Sequence, residues 1–357
     1  MIRSAAWPAD AAAVDVASLT ATALGATAQS ATALTATAGR PGSAPSDRLA
    51  VARTVAAATP PLTAGTAARS FVTLAAVAAA DVALARTVEP HLDALSILTQ
   101  AGAPVPDGST WGVFAAEGPG LRLEAADDGR GAGGVVLDGT KPWCSLASQL
   151  SHALVTAHRG DDRQLFAVDL RQDGVTAHDE AWVARGMPDV PSGPVDFDGV
   201  SAVPVGDPGW YLTRPGFAWG GIGVAACWWG GAVGLARVLR DHAAARPDAE
   251  LLRVALGAAV ADLADAEDAL ADAAARIDAD EDADWPLVAQ TVRSRVRRAV
   301  DAVRTRVVTT IGPGPLTSDP AVAARVADLE LYVLQDHGDR DLARIGRMVL
   351  ERGGVAW

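Results

Sequence analysis

Lysine is almost missing from this chain: Lys141 is the only one, and every other strongly basic residue is arginine. Basic charge as a whole is short, 30 Lys and Arg against 43 Asp and Glu, for a formal net charge of -13. Such a balance leaves no clustered cations to displace counterions from nucleic acid or to hold an anionic membrane, so neither partner is expected. The two cysteines, Cys144 and Cys227, are far apart and match no Cys/His ligand pattern. A disulfide scaffold and a structural zinc site are therefore excluded, and the compartment reads as reducing. The N-terminal MIRSAAWPADAAAVDV lacks the basic region and apolar run of an export signal, so a cytoplasmic location is expected.

Long apolar runs are also scarce. Residues 217 to 236, FAWGGIGVAACWWGGAVGLA, form an uncharged, strongly apolar stretch near bilayer length. Six glycines within it and Arg214 and Arg237 at its ends suit a helix buried on all sides of a bundle. Gly221-Ile-Gly223-Val-Ala-Ala226 in this stretch has the letters of a dinucleotide fingerprint, but no strand precedes it and no βαβ unit surrounds it. Close helix packing explains those glycines, and no NAD site is expected.

What is present divides into three parts, with half the residues apolar and so ample material for a core. Residues 1–108 are rich in Ala, Thr and Val, with helical stretches such as SFVTLAAVAAADVALARTVEPHLDALSIL, and read as a helical domain. Residues 109–212 change to short Val, Leu and Phe runs between Gly, Asp and Pro: TWGVFAAEG, GGVVLDGTKPWCS, HALVTA, QLFAVDL and GPVDFDGV. That is the texture of antiparallel strands in a small β-barrel. Residues 213–357 return to helix. Leu256, Val260, Leu263, Glu267, Leu270, Ala274 and Ile277 follow steps of four and three, as do Val292, Val296, Ala299, Val303 and Val307, and again Val322, Val326, Leu329 and Val333. Breaks at ARPD, DADEDADWP and IGPGPLTSDP each hold a proline that cannot continue a helix. With the buried stretch these make a four-helix bundle. The fold class is α+β, mostly α.

That order of parts, the GTKPWCS stretch, AADVALARTVEPHLDAL in the head, and GPGPLTSDP followed by ADLELYVLQDHGDRDLARIG in the tail resemble the acyl-CoA dehydrogenase superfamily over nearly the whole chain. The resemblance implies FAD as cofactor and a homodimer or homotetramer. It implies an acyl-CoA or other acyl thioester as substrate, and electron-transfer flavoprotein or another acceptor as redox partner. It places Trp143 over the isoalloxazine and the Ser145 hydroxyl near the flavin N5. Strand alternation would put both side chains on one side, with Lys141 there too in a supporting surface ion pair. Spacing alone fits equally a core tryptophan and a turn serine. Ala116 and Glu117 fall in the family's flavin-contact stretch, where Ala116 lacks the usual threonine hydroxyl and backbone N–H groups around Gly118 and Gly120 are left to serve. Gly312 and Gly314 resemble the glycine turn that approaches the cofactor. The family's Arg-x-x-Phe-Gly segment, which reaches the FAD pyrophosphate, is missing, so weaker FAD retention is expected.

Dehydrogenation of an acyl thioester needs a carboxylate to take the α-proton while hydride passes to N5. The first tail helix contains no carboxylate before Asp241. Aligning LYVLQD with the family's pattern puts Asp336 where the glutamate would stand, with His337 beside it, at the end of the apolar stripe. The same residues also suit a plain Asp336–Arg340 pair and a helix ending at Gly338. His91 is expected on a helix surface. Three functions follow: a flavin-dependent acyl-CoA dehydrogenase with Asp336 as base, a flavin monooxygenase on the same scaffold, and a non-catalytic paralogue.

Overall fold

A computed structural model describes residues 45–129 and 134–354. The part of the helical head before residue 45 lies outside the described residues. Three helices, α1 (Pro45–Ala58), α2 (Ala67–Ala80) and α3 (Val82–Ala101), lead into seven strands. These are β1 (Trp111–Phe114), β2 (Leu123–Asp127), β3 (Val135–Lys141), β4 (His152–Arg159), β5 (Asp162–Asp169), β6 (Val175–Ala177) and β7 (Val195–Val205). After a one-turn helix at Trp210–Thr213 come α4 (Pro215–Ala245), α5 (Glu250–Asp278), α6 (Trp285–Ile311), a short helix Pro313–Ser318, α7 (Pro320–Tyr332) and α8 (Asp339–Glu351).

The run read as one helical stretch in the head is two helices. Asp81 takes an extended conformation between them, and its Oδ1 accepts from the N–H of Leu84 at 2.6 Å, capping α3. Arg325 of α7 closes the other side of the break by donating to the carbonyls of Ala79 and Ala80 at 3.0 and 2.7 Å, which satisfies the last turn of α2.

The strands run in the order β1-β4-β2-β3-β7-β5, and a further β4–β5 pairing closes the sheet into a barrel. Not every pairing is antiparallel as expected: β1–β4 and β2–β4 are parallel. β3 and β7 are antiparallel, with a register shift between Leu137 and Gly139. Gly139 has φ 119, and a Cβ there would lie 2.3 Å from the Arg122 carbonyl, so only glycine turns this bulge. One end of α3 packs on the barrel through Ala94, Ile97 and Leu98 against Trp111, Leu154, Leu165 and Val205.

In the tail, α4 runs through the bundle against α2, α5 and α6. It is long and apolar enough to cross a membrane, but 72% of its most apolar window is buried inside the protein. Its glycines serve close approach: a Cβ at Gly230 would fall 2.2 Å from the Ala75 carbonyl oxygen. The α6 stripe is buried at every expected position. Along α5 the stripe drifts, because Ala255 and Ala259 face the core and leave Val260 37% exposed. A fifth tail helix, α8, packs on α6 beyond the four expected.

Candidate active site

Strand β3 ends at Lys141, and the chain then turns twice through the left-handed region, at Trp143 (φ 59) and Leu146 (φ 62). Non-glycine residues held there cost about 1 kcal/mol or more each and collect at functional sites. The loop is pinned by Cys144 N–H donating to the Gly193 carbonyl (3.0 Å) and Leu146 N–H to the Pro191 carbonyl (2.7 Å). Strand alternation therefore does not govern Trp143 and Ser145. Trp143 is 60% exposed, whereas Ser145 is turned inward at 7%. Burial pushes the Cys144 thiol far up, so it is packed and inert.

Lys141 corrects a second expectation. Its pair is not on the surface: the residue is 1% exposed, and Nζ donates to Glu117 Oε1 at 2.7 Å and Thr156 Oγ1 at 2.9 Å. Burial lowers its pKa, with the Glu117 carboxylate opposing that. Glu117 also meets His158 at 3.2 Å and Arg163 at 3.1 Å. Although burial works the other way, the Lys141 bond holds the Glu117 carboxyl below its ordinary range. Arg163 donates on to the Ala115 carbonyl at 2.8 Å, which ties the loop after β1 to the barrel. Through this pair, and through Gly118 seated against the Pro142 ring, the exposed Ala116 and Glu117 adjoin the Trp143 loop. These four candidates are thus one locale.

Beside it opens a narrow cleft that reaches solvent, lined by Arg86, Thr87 and Pro90 of α3, residues 111–114 of β1, and Ser145, Leu146 and Leu150. Arg86 Nη2 donates to Ser145 Oγ at 3.0 Å, and Ser145 is 2.7 Å from Ser192 Oγ. Ser192 donates to the Val190 carbonyl at 3.1 Å, so in the Ser145–Ser192 bond the proton is that of Ser145. With that proton committed and one lone pair taken by Arg86, Ser145 has one lone pair left to accept with.

Behind Arg86 stands Glu89, 3.5 Å away and 8% exposed. Burial pushes its carboxyl up to about 7, Asp93 adds to the shift, and Arg86, Arg293 and Tyr332 oppose it. Glu89 is the group that sequence reasoning missed. Its signal was a carboxylate on the buried face of α3, three residues after Arg86.

Asp336 and His337 are not among the cleft's lining residues. α7 gives way to a 3-10 turn at Val333–Gln335, so the stripe stops before it reaches them. Asp336 is 4% exposed, and its partner is Arg297 of α6 at 3.5 Å, not Arg340; its Oδ1 also accepts from the Gly338 N–H at 2.8 Å. His337 is largely exposed, 3.6 Å from Asp341. Arg293, which lies over the Trp228 ring at 4.5 Å, acts on both Asp336 and Glu89. Gly312 and Gly314 lie at the C-terminal end of α6, about 22 Å along the helix from Arg297. His91 is buried, with its pKa lowered to about 4 by burial and by Arg53. It is not the surface histidine expected.

No protein-family model and no curated protein matches this sequence. Solved structures do match. FMN-bound TdsC from Paenibacillus sp. A11-2, also described as a dibenzothiophene monooxygenase, is 18% identical over 96% of this chain and 98% of its own, with TM-score 0.75. Methanesulfinate monooxygenase MsuC from Pseudomonas fluorescens is 18% identical over 96% and 97%, with TM-score 0.68. A glutaryl-CoA dehydrogenase from Mycobacterium smegmatis in complex with FADH2 is 14% identical over 96% and 95%, with TM-score 0.73. The chain has the acyl-CoA dehydrogenase fold. The helical head, the barrel and the helical tail of that fold account for the element order of the described residues.

Proposed function

We propose that the chain is a flavin-dependent monooxygenase on the acyl-CoA dehydrogenase scaffold, using reduced flavin delivered by a separate reductase, with FMN as the cofactor. The observation that carries this reading is the lining of the cleft. Arg86 and Ser145 are its polar side chains beside Thr87 and Trp111, and no carboxylate lines it among the described residues. An α-proton base is what a dehydrogenase would need there. The fold likeness to TdsC and MsuC supports the oxygenase side. The missing Arg-x-x-Phe-Gly segment supports FMN, which has no pyrophosphate to hold.

The residues fit a flavin. Trp143 offers an exposed indole for stacking, the walls are apolar, and the free lone pair of Ser145 suits a ring N–H donor such as N5–H of the reduced form. A bound reduced flavin supplies the two electrons that let one atom of dioxygen enter a substrate while the other leaves as water. In that setting Arg86 places a fixed positive charge where negative charge gathers on oxygen, and Ser145 holds the guanidinium in place. Pro90, Val113, Phe114 and Leu150 supply apolar wall to the cleft.

Anaerobic titration tests this. Photoreduced FMN is expected to bind at least tenfold more tightly than oxidised FMN, and Ser145→Ala to remove that preference. Bleaching of bound flavin by butyryl-CoA without oxygen would instead establish the dehydrogenase, with FAD as the cofactor to examine next.

A further inference from the structure

The cleft is chemically lopsided. Its walls are Pro90, Val113, Phe114, Leu146 and Leu150, and Arg86 is the single charged residue lining it among the described residues. The Arg86 side chain is only 15% exposed, so its charge is largely removed from water. Ser145 fixes one Nη, and the carboxyl of Glu89 lies at the outer limit of a hydrogen bond from the other, 3.5 Å away. A guanidinium held in an apolar cleft with a loosely engaged counterion is a receptor for a second anion.

We propose that this cleft binds a small organic anion, in the simplest case a carboxylate on an apolar body of a few carbons, with its head on Arg86, and that Glu89 takes up a proton as the anion arrives. The inference names the substrate class of the oxygenase proposed above and rests on that reading for its catalytic meaning. Anion binding itself requires no flavin.

Charge bookkeeping leads to the proton. If the anion entered while Glu89 stayed ionised, two carboxylates would face one guanidinium in a desolvated place, which drives one of them to protonate. Six charged or titratable groups face Glu89: Arg86 and Asp93 on its own helix, Tyr211 from the one-turn helix, Cys227 from α4, Arg293 from α6 and Tyr332 from α7. Burial first, then Asp93, sets the Glu89 carboxyl at about 7. Near neutrality the acid and the carboxylate are therefore both populated, and little is needed to favour the acid. Arg86, Arg293 and the nearby Tyr332 hydroxyl favour the Glu89 carboxylate, and burial outweighs them.

Calorimetric titration of benzoate into the full-length protein, both flavin-free and incubated with FMN, tests the proposal, with benzamide as the neutral isostere. Benzoate is expected to bind at one site and benzamide not to bind. For a group titrating near 7 that must be protonated in the complex, affinity falls about tenfold between pH 6 and pH 8. Glu89→Gln is expected to bind at both pH values with the affinity that the parent shows at pH 6. Arg86→Met is expected to abolish binding with an unchanged circular dichroism spectrum. If it fails to fold, Arg86→Lys, which keeps the charge and loses the fork to Ser145, should bind more weakly.

Equal binding of benzamide, undiminished binding by the folded Arg86 variant, or no benzoate binding in either form of the protein would overturn the anion site. A tenfold pH dependence persisting in Glu89→Gln would overturn the role of Glu89. Benzoate binding in a protein that takes up no flavin would sink the oxygenase reading and leave this one standing; flavin uptake with the reduced-state preference but no benzoate binding would do the reverse.

Discussion

Removing Glu117 is the most telling perturbation of the barrel, because it isolates the only lysine in the chain. Lys141 is 1% exposed and has two side-chain acceptors, Glu117 and Thr156. In Glu117→Ala the ammonium keeps the threonine alone, with Arg163 nearby as a like charge. Breaking a buried pair by deleting one partner costs about 3–5 kcal/mol. The loss has a ceiling, because the ammonium can shed its proton: moving a lysine pKa from about 10.4 to 7 is about 4.6 kcal/mol. Glu117 itself is 39% exposed, so water can follow it into the gap, and we expect the low end, about 3 kcal/mol. At roughly 2–4 °C per kcal/mol the melting temperature should fall by about 6–12 °C. The sign with pH is fixed. A lysine whose pKa is lowered in the folded protein binds fewer protons there than when unfolded, so its penalty is full below the folded pKa and fades as pH rises toward about 10.4. Thermal melts at pH 7.0 and 9.5 should show the deficit of Glu117→Ala shrinking by more than half. The double variant Lys141→Met, Glu117→Ala loses the same exposed contacts to Arg163 and His158, worth little, and should recover to within about 1 kcal/mol of the parent. A deficit that is unchanged at pH 9.5, or a double variant as unstable as the single one, would refute the reasoning.

Three further outcomes are expected. Gly230→Ala should lose about 1–3 kcal/mol, because its Cβ meets the Ala75 carbonyl and α4 must back away from α2, while Gly257→Ala on the open face of α5 should gain up to about 1 kcal/mol; paired melting curves check both. Asp336→Ala should cost about 2–3 kcal/mol through Arg297 and the Gly338 N–H, whereas His337→Ala should stay within about 0.5 kcal/mol, by urea denaturation. The raised Glu89 carboxyl makes the folded state hold the extra proton, so its stabilisation is complete below about pH 4.5 and is lost as pH rises through about 7, to a limit of about 3 kcal/mol; Glu89→Gln should remove that part of the stability–pH slope.

The architecture was legible because its signals are periodic. The α6 stripe of Val292, Val296, Ala299, Val303 and Val307 is buried as spaced, and the strands quoted from the middle of the chain stand where their punctuation put them. What was not legible was decided by partners far away in sequence. Asp81 looks like any polar residue inside a helical run until Arg325 arrives to bond the carbonyls on its N-terminal side. Lys141 reads as a surface residue because lysine usually is one; only the pairing of β3 with its neighbours brings Glu117 and Thr156 to it. Trp143 and Ser145 were placed by strand alternation, but the strand ends two residues too early, and the left-handed turn at Trp143 separates them. Trp143 and Ser145 thus adjoin the cleft through a turn, and the alternation expected of them does not hold.

The same limit explains why the acid singled out from the sequence and the acid beside the cleft differ. Glu89, Asp328 and Asp336 all fall on faces that are otherwise apolar, and all are buried. Pattern marks them equally; their neighbours do not. Asp328 accepts the main-chain N–H of Met187 and holds that loop on α7, and Asp336 accepts the N–H of Gly338 and pairs with Arg297. An acid bound by main-chain donors is fixed by the fold and serves it. Glu89 faces side chains that carry or can change charge: Arg86, Asp93, Arg293, Tyr332 and Cys227. Its state depends on theirs, and Arg86 carries that dependence into the cleft. If one carboxyl here answers to a ligand, its position among responsive neighbours makes it Glu89.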